Sequence, residues 1–142
     1  MRRRHLLGEE EKEEVLHTIR TVLAGFDEVE VGYVFGSFSQ GDFGDVDVAI
    51  LINGEPAPYQ AMRFARRVER ELERGFFYRF EADVKVLNTA PISLQYEVIK
   101  SGRLVFSRDR GRRVRYEADV LSLYLDYAET LEWFDRVLLT RA

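Results

Sequence analysis

At 142 residues the chain has the length of one domain, and its 46% share of hydrophobic residues is enough for a core, which excludes global disorder. It has no cysteine and two histidines, which excludes disulfide frameworks and thiolate zinc sites and leaves little material for a His-based triad. Charges nearly cancel to −4, so this acidic whole speaks against nucleic-acid binding as the main activity.

Arg2-Arg3-Arg4-His5 followed by Leu6-Leu7 begins like a signal peptide, but Glu9–Glu14 is almost entirely charged and ends the apolar stretch. No apolar run approaches the ~20 residues of a membrane helix, so a soluble, cytoplasmic protein without membrane attachment is expected. Val15, Ile19, Val22 and Leu23 give residues 9–25 a helical period, with glutamates near the start, where they suit the helix dipole. Glu30–Phe35 reads as a strand, Gly36–Gly44 as a glycine-rich turn and Val46–Ile52 as a second strand. A turn this short cannot hold a parallel crossover, so the strands are antiparallel or flank a very short helix, and a Rossmann reading is excluded. Tyr59–Gly75 is an amphipathic helix with Met62, Ala65, Val68 and Leu72 on one side. Phe80–Leu87 reads as a strand, Pro91–Ser101 as a helix, Leu104–Ser107 as a strand and residues 112–140 as a long helix. The basic run Arg108–Arg115 reads as a solvated face, with contact to nucleotide or partner as the alternative, and His17 as a surface or boundary residue. The order of elements predicts an α/β (α+β) domain over residues 1–142, a small mixed β-sheet over about 30–107 flanked by helices.

The segment Gly36-Ser37-Phe38-Ser39-Gln40-Gly41-Asp42-Phe43-Gly44-Asp45-Val46-Asp47 carries the chemistry. It is no P-loop, because Asp42 stands where the lysine must be, and it contains no G-x-G-x-x-G. Strand period two puts Asp45 and Asp47 on one face, roughly 6–7 Å apart. Carboxylates this close repel unless a cation lies between them, and an oxygen-only donor set suits Mg2+ or Mn2+. Backbone N–H groups at Gly36 and Ser37, with the Ser37 hydroxyl, can hold phosphates that share the metal. Asp83 joins the set if its strand neighbours Val46–Ile52, and three aspartates can hold two divalent ions. The competing reading is a group of solvated turn aspartates. Lys85 shares the strand face of Asp83 and either neutralises phosphate or pairs with Glu81.

Gly36-Ser37 followed by Asp45-Val46-Asp47, after the strand Val31–Phe35, resembles the signature of the DNA polymerase β-like nucleotidyltransferase superfamily. The stretches Ala82–Pro91 and Tyr96–Val105, with Tyr124-Leu125-Asp126-Tyr127 on the last helix, are similar to the minimal nucleotidyltransferases, the MntA-type antitoxins of HEPN–MNT modules. The resemblance implies a nucleotidyltransferase fold in which Gly36 and Ser37 bind the nucleotide and Asp45, Asp47 and Asp83 are catalytic metal ligands. It further implies two Mg2+ ions and transfer of AMP from ATP to a tyrosine of a HEPN ribonuclease toxin, which the modification silences. One departure is the loop Asp42-Phe43-Gly44, shorter than the family's usual connection to the first aspartate. A small-molecule nucleotidyltransferase and an antitoxin acting by binding alone are the alternatives.

The last helix bears on partners. Val120, Tyr124, Tyr127, Leu131, Phe134 and Leu138 form one apolar stripe, and Leu121, Leu123, Leu125, Trp133 and Val137 widen it to most of the circumference. An edge helix cannot bury such a surface within its own domain, so a protein partner or a second copy is expected to cover it.

Overall fold

The computed structural model describes residues 5–36, 38 and 44–141, and for Thr140 and Arg141 the backbone alone. The elements run α1 (Glu9–Ala24), β1 (Val29–Phe35), β2 (Asp45–Ile52), α2 (Pro58–Gly75), β3 (Glu81–Val86), α3 (Ile92–Ser101), β4 (Arg103–Ser107) and α4 (Arg110–Arg141). A short 3-10 turn at Leu87–Thr89 takes the end of the expected third strand. The sheet order is β3-β2-β1-β4. β1 pairs antiparallel with β2 and β4, whereas β2 and β3 are parallel, joined by the α2 crossover. This is a mixed sheet flanked by helices, in the arrangement of a nucleotidyltransferase fold.

β2 begins with alternating Asp45-Val46-Asp47-Val48 and continues as the apolar run Ala49–Ile52. That change of pattern marks a central strand covered on both faces except at its start. Val46, Val48, Ile50 and Ile52 pack with α1 and α2 in the larger core. Ala49 and Leu51 pack on the opposite face with Val31, Tyr33, Leu87 and Val98. In α1 the buried side chains are Val15, Leu16, Ile19 and Leu23, while His17 is exposed. Pro58 starts α2 at a position that needs no N–H donor, and the Ala57 N–H donates to Gln60 Oε1 at 3.0 Å. The buried α2 stripe is Ala61, Phe64, Ala65, Val68 and Leu72, and Met62 is half-exposed. Of the apolar side expected from the sequence, Ala65, Val68 and Leu72 are buried and Met62 lies at its margin.

The basic run after β4 is also not merely a solvated face. Arg108 Nε donates to Val29 O at 2.9 Å and its Nη2 to Phe26 O at 3.0 Å, tying the end of α1 to β1. Arg113 Nη1 donates to Glu117 Oε1 at 2.8 Å, and Glu117 Oε2 accepts the Tyr33 hydroxyl at 3.0 Å. These bonds dock the start of α4 on the sheet. Tyr116 donates to Gln95 Oε1, and the Tyr124 ring stacks on Tyr96 with centroids 3.8 Å apart. Val120 is buried, but Leu131, Trp133, Phe134 and Leu138 are about half-exposed or more. At 32 residues, α4 is about 48 Å long. Among the described residues no helix is long and apolar enough to cross a membrane.

Candidate active site

The parallel register of β2 and β3 sets the geometry. Asp47 stands opposite Asp83, and Asp45 stands opposite Glu81. Register partners in a sheet point to the same side, and residues two apart share a face, so four carboxylates form a two-by-two array. Neighbouring strands lie about 4.8 Å apart, and positions two apart are about 7 Å apart. Like charges directly opposite one another are destabilising. All the donors of this array are oxygens, the set that hard divalent cations such as Mg2+ or Mn2+ prefer. Asp45, Asp47 and Asp83 are each partly buried, and Glu81 is exposed.

Gly36 supplies the second feature. It leaves β1 with φ of +72°, in the left-handed region, and a Cβ built there would collide with Asp47 Oδ2. Only glycine meets both demands at this position. The chain end of β1 thereby lies directly against the Asp47 carboxylate, with the peptide backbone free of any side chain in between. Such an approach is what a phosphate needs if it is to reach backbone N–H groups and a metal at the same time.

Asp83 Oδ1 lies 3.5 Å from Lys85 Nζ. Lys85 is therefore paired with Asp83, and not with Glu81 as one of the two sequence-based expectations had it. Among the described residues no three acidic or histidine side chains are gathered as a metal group. The backbone register places Asp47 beside Asp83 and Asp45 beside Glu81 on one face of the sheet. Ser37, Gly41, Asp42 and Phe43 lie outside the described residues.

Sequence reasoning missed Glu81 as a member of the array. The available signal was its own spacing: Glu81-x-Asp83 repeats Asp45-x-Asp47, and the two pairs face each other in register. It also missed Glu69, a buried carboxylate on α2. Glu69 Oε2 accepts the Val84 N–H at 2.9 Å, and Glu73 Oε2 accepts the Ala82 N–H at 3.0 Å. These two bonds hold the β3 backbone on either side of Asp83.

The polymerase β nucleotidyltransferase family matches residues 17–111, two thirds of the chain, including all of these residues. The fold is similar to a chain in the structure of tri-AMPylated Shewanella oneidensis HEPN toxin in complex with MNT antitoxin, at 19% identity and a TM-score of 0.64. It is also similar to a chain of the toxin–antitoxin MntA–HepT crystal structure, at 17% identity and a TM-score of 0.66. A toxin–antitoxin crystal structure with AMP-PNP matches at 19% identity and a TM-score of 0.61. In all three the match covers 89% of this chain and 98% of the other. No curated protein sequence matches this chain.

Proposed function

This chain belongs to the polymerase β nucleotidyltransferase family, and we propose that it is a metal-dependent protein adenylyltransferase, the antitoxin of a HEPN-type toxin. The observation that carries the reading is the contact of Gly36 with Asp47, which is itself in register with Asp83. A phosphate seat and a carboxylate array for cations are thereby adjoining parts of one site. Similarity in fold to MNT antitoxin complexes, one with a tri-AMPylated toxin and one with AMP-PNP, supports the choice of AMP and of a protein acceptor.

In this reading Asp45, Asp47 and Asp83 hold divalent ions, with Gly36 and Ser37 on the triphosphate. Bound metal supplies charge neutralisation at the phosphates and lowers the pKa of a coordinated hydroxyl. The acceptor hydroxyl oxygen bonds to the α-phosphorus, the bond from that phosphorus to pyrophosphate breaks, and the hydroxyl proton passes to a carboxylate oxygen of Asp83. The acceptor is a tyrosine, which becomes an AMP ester. The exposed end of α4, with Leu131, Trp133 and Phe134, is the surface that the partner protein or a second copy covers. Residues 1–142 act as a nucleotidyltransferase domain in the cytoplasm, without membrane or nucleic-acid binding.

Intact mass of the HEPN-type protein encoded beside this chain, after incubation with the chain, ATP and Mg2+, tests the reading. A gain of one or more AMP increments, abolished by chelator, is expected. An unmodified toxin that is nonetheless inhibited would assign the chain to antitoxins acting by binding alone.

A further inference from the structure

Outside β3, between the start of α2 and the start of α3, lies a cleft of about 380 Å3, within the size range of small-ligand sites. Asp83 and Lys85 line it from β3, Met62 and Arg66 from α2, and Pro91 and Leu94 from the start of α3. Its position relative to the phosphate seat is informative. Gly36 meets Asp47 from the β1 side, and the cleft meets Asp83 from beyond the opposite edge of the sheet. Displacement at phosphorus needs the entering and leaving oxygens in line, on opposite sides of the phosphorus. A triphosphate seated at Gly36 therefore makes the β3 edge the side from which an acceptor enters.

The lining defines what enters. β3 is an edge strand, but its outward N–H groups at Ala82 and Val84 are taken by Glu73 and Glu69 of α2. The edge is closed to an added strand, so an acceptor segment has to engage through its side chains. Met62, Pro91 and Leu94 give an apolar wall that suits an aromatic ring, with a methionine sulfur among its contacts. Arg66 and Lys85 bring cations. Each faces one carboxylate, Glu69 at 2.9 Å and Asp83 at 3.5 Å, and each side chain is more than half exposed. A guanidinium has five N–H donors and an ammonium three, so both keep donors for a further anion.

Resting on the adenylyl-transfer reading above, we propose that this cleft seats the acceptor polypeptide. A phenol ring lies against Met62 and Leu94, its hydroxyl reaches Asp83, and carboxylates of the same segment meet Arg66 and Lys85. The cleft thus selects a tyrosine flanked by acidic residues.

The test compares two tyrosine peptides, one with Asp and Glu around the tyrosine and one with Asn and Gln in their places. Each is incubated with the full chain, labelled ATP and Mg2+. Fluorescein-labelled copies are read by anisotropy, which needs no chemistry, and ATP affinity is read by calorimetry. The acidic peptide is expected to bind and to accept AMP with a KM about tenfold lower or more. Met62→Glu is expected to raise that KM similarly at unchanged ATP affinity, and Arg66→Gln to narrow the difference between the peptides. Melting curves check that both variants are folded. Equal KM values for the two peptides, or indifference to both substitutions, would overturn the cleft assignment while leaving adenylyl transfer intact. ATP binding with neither peptide bound nor modified would overturn it too. Absence of ATP affinity in the wild type would instead overturn the reading on which it rests.

Discussion

At the start of β2, carboxylates face one another across the sheet, while at the end of α4, apolar side chains stand about half-exposed or more. In the first region Asp45, Asp47, Asp83 and Glu81 are brought together by strand register, against their mutual repulsion. In the second, Trp133 is 54% exposed and Leu138 64%, against the hydrophobic effect. Each region departs from an ordinary surface, one by facing like charges and the other by apolar exposure. In the proposed function the difference lies in what binds: a cation and phosphates at the sheet, a protein surface at the helix. Between the two, the first turns of α4 are fully anchored through Tyr33, Arg113, Glu117 and Val120. The helix is therefore a fixed arm at one end and an open surface at the other.

The sheet half of this comparison predicts the largest effect. Asp47→Asn removes a charge from the centre of the array and should slow AMP transfer by about two orders of magnitude or more. Single-turnover assays with labelled ATP measure it, and a full-rate variant would remove Asp47 from the chemistry. Next in size is Gly36→Ala, which places a Cβ on Asp47 Oδ2 at a positive φ. It should cost roughly 1–3 kcal/mol of stability and weaken ATP binding as well, read by denaturant melts and calorimetry.

The two ends of α4 should respond oppositely. Val120→Ala, in the anchored part, should lower stability by about 2 kcal/mol. Trp133→Glu, in the open part, should change it by less than about 0.5 kcal/mol and abolish association in sedimentation runs with the partner. A large loss of stability from Trp133→Glu would mean that the end of α4 belongs to this chain's own core.

The smallest effect concerns the anchor itself. Burial, reinforced by the Glu117 carboxylate, pushes the Tyr33 phenol far up, and burial followed by Glu117 does the same to Tyr116. A phenol whose folded-state pKa is raised holds its proton more tightly in the fold than in the unfolded chain. Its contribution is present below the ordinary value near 10 and is lost as pH climbs beyond it. Stability should therefore fall above about pH 10. Tyr33→Phe should flatten part of that fall and cost about 1 kcal/mol at neutral pH. Melts of wild type and variant across the alkaline range decide it.

Local patterns carried most of the element reading. The helical period of α1, the alternation at the start of β2 and the uninterrupted run of α4 all lie within single segments. The same is true of Asp45 and Asp47, whose shared face follows from strand period alone. What lay beyond the sequence was pairing. Nothing local states that β3 runs parallel beside β2, and so nothing local could place Glu81 opposite Asp45. Lys85 illustrates the same point: phosphate and Glu81 both suited its place in the strand, and the side-chain geometry pairs it with Asp83. The period of α2 puts Met62 on the side of Ala65, Val68 and Leu72, and only packing against the sheet decides that it stays half-exposed. Arg108 is exposed as its sequence suggests, but its three carbonyl acceptors, from the end of α1 to the start of β1, are remote in sequence and not legible locally.

The central claim is that the carboxylate array and Gly36 form one nucleotide–metal site. Its most direct test is calorimetric titration of a non-hydrolysable ATP analogue into wild type and Asp47→Asn, each with Mg2+ and with EDTA. The account predicts binding to wild type with Mg2+, strongly weakened by EDTA and by the substitution. Equal affinity in all four titrations would contradict it.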